Sequence, residues 1–65
     1  MSLYSIKRAE EVIAEYIPKE EYRQVLIQRL CHKTPYEEIS GAVGYSPQWC
    51  KEIVKRYRNE ILSLL

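Results

Sequence analysis

Apolar residues recur at intervals of three and four along almost the whole chain, and no alternating run is long enough for a strand. The first stripe is Leu3, Ile6, Ala9, Ile13 and Tyr16 or Ile17, with Glu10, Glu11 and Glu15 on the solvent side and Ser2 or Ser5 able to cap. It predicts a helix over 1–17, closed by Pro18, because an interior proline removes a hydrogen bond and clashes with the preceding turn. Tyr22, Val25, Leu26 and Leu30, with the aliphatic stem of Arg29, predict a half-buried helix over 19–33. Thr34-Pro35-Tyr36-Glu37 then reads as a cap, a first helical residue and a capping-box glutamate, opening a short helix over 35–43. Ile39 and Val43 share its inward face. Gly44 stands where the chain must turn sharply, since glycine takes positive φ without steric penalty, and the small Ser40 lets the flanking helices cross closely. Ser46-Pro47 restarts the chain as N-cap and first residue of a helix over 47–62, with Cys50, Ile53 and Val54 inward. Tyr45, at a normally apolar position of the turn, is expected in the core. The expected fold class is all-α, a compact helical domain with a tri-helical helix-turn-helix core plus an N-terminal helix.

Length limits what such a chain does. Its 65 residues make one domain, and a domain of that size buries only about 60% of its unfolded surface, leaving marginal stability unless it associates. A cleft walled by two layers does not fit, so no enzymatic activity is expected. Cys31, Cys50 and His32 form no CxxC or HxxxH spacing, so neither metal nor cofactor is expected. Both cysteines fall among apolar helical positions and read as buried free thiols, which suits a reducing cytoplasm. No apolar run approaches the ~20 residues that span a bilayer, and no signal-peptide pattern opens the chain.

The formal net charge is only +1, but its distribution is uneven. From Pro47 to Arg58 the bases are Lys51, Lys55, Arg56 and Arg58 against the single acid Glu52, while acids gather at Glu10, Glu11, Glu15, Glu20, Glu21, Glu37 and Glu38. One basic helix on a near-neutral protein can hold phosphate locally, with strong salt dependence.

The order of short helix, glycine turn and second helix from Tyr36 to Lys55 is that of a helix-turn-helix that reads double-stranded DNA in the major groove. Opposite the inward residues lie Gln48, Trp49, Lys51, Glu52 and Lys55. Gln48 suits a bidentate contact with adenine, Glu52 accepts from cytosine, and Lys51 reaches guanine or phosphate. Lys55, Arg56 and Arg58 lie further along as phosphate clamps, which position without specifying. The plainer reading of these charges is a solvated helix face. Trp49 has three open roles: pressing on thymine methyls, entering a protein partner, or folding back onto the N-terminal helix. Thr34 and Tyr36 are candidates for phosphate contact, weighed against capping and packing. His32 reads as a surface or helix-end cation, and the six tyrosines as core-edge residues rather than a stacking platform.

At Leu30–Arg58 the chain resembles region four of bacterial sigma factors and related small phage and prophage transcription regulators. The resemblance is carried by the Leu30 helix end, Tyr36-Glu37-Glu38-Ile39-Ser40, Val43-Gly44-Tyr45-Ser46-Pro47, Lys51 and Lys55-Arg56-Tyr57-Arg58. It is close over about half the chain and looser from Glu20 to Ile61. Trp49-Cys50 stands where a threonine-valine pair is usual, and Ile53 where arginine is common. The resemblance implies a sequence-specific DNA-binding regulator without cofactor. A lone motif makes few phosphate contacts, so a homodimer or a partner such as RNA polymerase is expected to supply affinity. Ile61, Leu62, Leu64 and Leu65, aided by Leu3 and Ile6, form an apolar stripe expected to serve as the dimer contact. Two rival readings are a DNA-packaging or recombination accessory, such as a phage terminase small subunit's DNA-binding domain, and a helical protein-interaction module that binds no DNA.

Overall fold

The computed structural model describes residues 6–65. The chain forms α1 (Ile6–Tyr16), α2 (Glu20–Leu26), a π-helical turn (Ile27–Cys31), α3 (Tyr36–Val43) and α4 (Pro47–Leu64), with no strand among the described residues. The long α4 is the spine against which α1, α2 and α3 all pack, and α1 also lies on the π turn. Among the described residues ten build one core: Val12, Ile13 and Ile17, then Val25 and Leu26, then Ile39, then Cys50, Ile53, Val54 and Ile61. No buried polar side chain of the described residues interrupts it. Full burial of each large aliphatic contributes about 1.5–3 kcal/mol.

α1 buries part of the predicted stripe, Ile13 and Ile17 with Ala9 half-buried, but shifted toward Val12. Val12 joins Ile13 and Ile17 inside, whereas Ile6 and Tyr16 are 51% and 55% exposed. The expected roles of Ser2, Leu3 and Ser5 lie outside the described residues. Glu11 and Glu15 face solvent, but Glu10 turns toward the π turn, where a carboxylate oxygen stands 3.5 Å from His32 Nε2. Pro18 ends α1, and Arg23 of α2 reaches back to its open end. The Arg23 Nε donates to the Ile17 carbonyl at 2.6 Å and Nη2 to that of Pro18 at 3.3 Å, supplying partners that a helix C-terminus lacks.

The helix expected over 19–33 is not uniform. Beyond Leu26 the N–H of His32 donates to the Ile27 carbonyl five residues back, and that of Thr34 to Gln28 at 2.9 Å. This widened turn ends at Lys33, a non-glycine residue with φ +56°. The Thr34 hydroxyl donates to Gln28 Oε1 at 2.8 Å, and the Arg29 guanidinium to the Thr34 carbonyl at 3.2 Å. Thr34 is thereby diverted from capping. The N-cap of α3 is Pro35, whose side chain caps nothing, so the expected capping box with Glu37 does not form.

The turn into α4 follows the sequence closely. Gly44 takes φ +81° and its N–H donates to the Ser40 carbonyl at 2.9 Å. The Ser40 hydroxyl donates to the Tyr45 carbonyl, bracing the turn from inside. Ser46 caps α4 by accepting from the Trp49 N–H at 3.1 Å, and Pro47 occupies its first turn. At the far end Ile61 is only 1% exposed because α1 extends the core beyond three helices. The expected free stripe therefore shrinks. Ile61 is core, Leu65 is half-buried against it, and Leu62 and Leu64 remain exposed.

Candidate nucleic-acid interface

With Cys50, Ile53 and Val54 buried, the helical repeat sends the residues between them outward. Gln48, Lys51, Glu52, Lys55, Arg56 and Arg58 are all exposed, as the sequence implies. They do not form one patch. The helical repeat puts Gln48, Lys51, Glu52 and Lys55 on the outer side of α4. Arg56 turns toward α2, lining a shallow cavity of about 400 Å³ with Tyr22, Trp49, Glu52 and Lys55. Arg58 turns the other way, into a groove shared with α1 and the π turn.

Trp49 is half-buried on the α2 side. Its ring stacks on Tyr45 with centroids 4.0 Å apart and planes 17° from parallel, and tilts against Tyr22 at 5.7 Å. Tyr22 in turn meets Tyr57 at 5.7 Å. Of the three sequence-level roles for Trp49, folding back onto a helix comes nearest, but the helix is α2 rather than the N-terminal one. Tyr45 is 43% exposed and not a core residue, since Trp49 covers one ring face and solvent the rest. An aromatic ledge thus flanks the start of α4.

On the opposite flank Tyr36 lies between two cations. Arg29 sits 4.3 Å from its ring centroid and Lys51 5.8 Å, distances at which a cation is attracted to the ring face. Both Arg29 and Lys51 thus meet the Tyr36 ring, although the sequence pattern assigns Arg29 only through its aliphatic stem. Lys33, which lines the same groove as Arg29, carries no signal in the sequence pattern. The one sequence-level hint was the spacing of Arg29 and Tyr36 across the Thr34-Pro35 break. Lys19, 5.5 Å from the Tyr22 ring, adds a cation to the ledge side.

The front of α3 is a poor place for an anion. Its first turn carries Glu37 and Glu38, which already complement the positive end of the helix dipole. Thr34 spends its hydroxyl proton on Gln28. Both cysteines are free thiols, Cys50 buried and Cys31 half-buried. Burial pushes each thiol above its ordinary pKa, helped at Cys31 by the nearby Glu10 carboxylate, so neither has the thiolate character of a reactive site. Among the described residues no three His, Cys, Asp or Glu side chains cluster closely enough to hold a metal, and no helix is long and apolar enough to cross a membrane.

No protein-family model, curated protein or solved structure matches the chain.

Proposed function

We propose that this chain is a non-enzymatic, cytoplasmic, sequence-reading domain for double-stranded DNA, serving as a small transcription regulator of phage or mobile-element type. The observation that carries the reading is the α3–Gly44–α4 unit. A left-handed glycine joins a short helix to a capped long one, whose outermost line offers Gln48, Lys51, Glu52 and Lys55 to solvent. In a major groove Gln48 and Glu52 would meet base edges, while Lys51 and Lys55 meet phosphate or guanine. The aromatic pair Tyr45–Trp49 would then lie along one wall of the groove, where apolar surface meets thymine methyls.

A protein-interaction module is the second reading, favoured by the near-neutral net charge and the half-exposed aromatic ledge. Anisotropy titration of mixed-sequence labelled duplexes at low and moderate salt separates the two. DNA binding that weakens steeply with salt supports the first, and its absence at low salt sinks it. Dimerisation on paired half-sites is a further proposal, supported by the exposed Leu64 at the end of α4.

A further inference from the structure

Between the first turns of α1, the π turn and the C-terminal half of α4 runs an open groove of about 880 Å³. Its walls are apolar: Ile6 and Ala9 on one side, Val54, Ile61, Leu62 and Leu65 on the other, with Leu30 and Cys31 between. Ile6 is 51% and Leu62 38% exposed, so the groove presents apolar surface to water. Among the described residues the polar side chains that line it are Arg29, Lys33, Arg58 and Tyr36, and no acidic side chain is among them. The Glu10 carboxylate stands 3.5 Å from His32 Nε2 and acts on Cys31.

One of these cations is held in place: Arg29 is fixed by the Thr34 carbonyl and the Tyr36 ring. Lys33 is exposed, on a backbone of φ +56° that lysine rarely adopts.

From this charge pattern we infer that the groove docks an amphipathic helix of a partner protein, with an apolar stripe set on Ile6 and Leu62 and acidic residues alongside. An apolar trough flanked by one sign of charge is the complement of such a helix. A second copy of this chain fits worse. In a twofold contact the same patch faces itself, which would oppose Arg29, Lys33 and Arg58 to their own counterparts. The inference stands whether or not α4 reads DNA, since of the residues assigned to DNA it uses Arg58 alone.

The test uses the chain with a labelled synthetic helix of about sixteen residues, some four turns, carrying leucine at three-and-four spacing and glutamate flanks. A control peptide replaces the glutamates by lysines. The glutamate peptide should bind at least about tenfold more tightly than the lysine peptide. Arg58→Glu and Leu62→Glu should each lose about tenfold or more with an unchanged melt, whereas Lys55→Ala should lose nothing. Lys33→Gly should weaken docking while making the fold more stable, an opposition that a purely structural lysine would not produce. The inference is overturned by equal affinity for the two peptides, by no binding of the acidic one, or by indifference to Arg58→Glu. It is also overturned if sedimentation shows a dimer that Leu62→Glu dissolves, or if binding appears only after residues 1–5 are removed, because the occupant is then the chain itself. DNA affinity measured on the same variants keeps this outcome separate from that of the DNA reading.

Discussion

Gly44 and Gly41 offer a paired experiment in which space is not a variable. A Cβ built on either glycine meets nothing within 4 Å, so neither substitution produces a clash. They differ in backbone. Gly41 lies within α3, where alanine is favoured over glycine by about 0.5–1 kcal/mol, so Gly41→Ala should stabilise by that amount. Gly44 ends α3 at φ +81°, ψ +17°, and its N–H holds the Ser40 carbonyl. A β-branched residue forced into that left-handed region should lose roughly 1–2 kcal/mol or more. In a domain of this size each kcal/mol moves the melting temperature by about 4–8 °C, so Gly44→Val should melt roughly 4–16 °C lower. Gly44→Asn should fall between, because asparagine tolerates the conformation best among the other residues. Thermal unfolding followed by circular dichroism reads all three variants. If Gly44→Val melts with the parent while Gly41→Ala gains, the turn is not a left-handed one and the crossing of α3 and α4 is wrong.

Three further outcomes follow from the core and the turns. Ile61→Ala should destabilise by about 2–5 kcal/mol in urea unfolding, while Leu62→Ala, on the exposed side, should fall within about 1 kcal/mol of the parent. Comparable losses at both would remove Ile61 from the core. Lys33→Gly should raise the urea midpoint at constant slope, by about 0.5–1 kcal/mol, since it relieves a left-handed lysine. A lower midpoint would refute that. Both thiols titrate higher in the fold than in the unfolded chain, so the unfolded state releases protons first as pH rises. Their contribution is complete below the ordinary thiol range and fades above it. Stability should therefore drop from about pH 8.5 upward, less in Cys50→Ala than in the parent after allowing for the smaller side chain, and identical slopes would refute the assignment.

What could be read from the sequence divides along the range of the interactions. The α3–turn–α4 unit was legible because Gly44, Ser46 and Pro47 act on their own backbone or on N–H groups within three residues. The π turn was not, because its register depends on Gln28, Arg29 and Thr34 meeting each other across the end of the helix. The same contacts displaced the expected cap at Thr34. Tyr45 lies outside the core, against its apolar motif position, because Trp49, four residues on, covers one ring face without enclosing the rest. Ile61 is buried rather than part of a free stripe because α1 packs on α4 beyond the three-helix core. In the candidate site, exposure along α4 could be read from Cys50, Ile53 and Val54. The sideways turn of Arg56 and Arg58, and the contact of both Arg29 and Lys51 with the Tyr36 ring, required the tertiary fold.

The measurement that bears most directly on the central claim is the salt dependence of duplex binding for the parent and for Lys51→Ala/Lys55→Ala. Both lysines are exposed and outside the core, and only the contact of Lys51 with the Tyr36 ring is given up, so the variant should lose no more than about 1 kcal/mol of stability. If α4 holds DNA through them, affinity falls and the log–log slope against salt flattens by roughly 0.9 for each phosphate contact removed, about 1.8 for two. An affinity and slope identical to the parent's, on a variant that stays folded, would contradict the assignment of α4 as the reading helix.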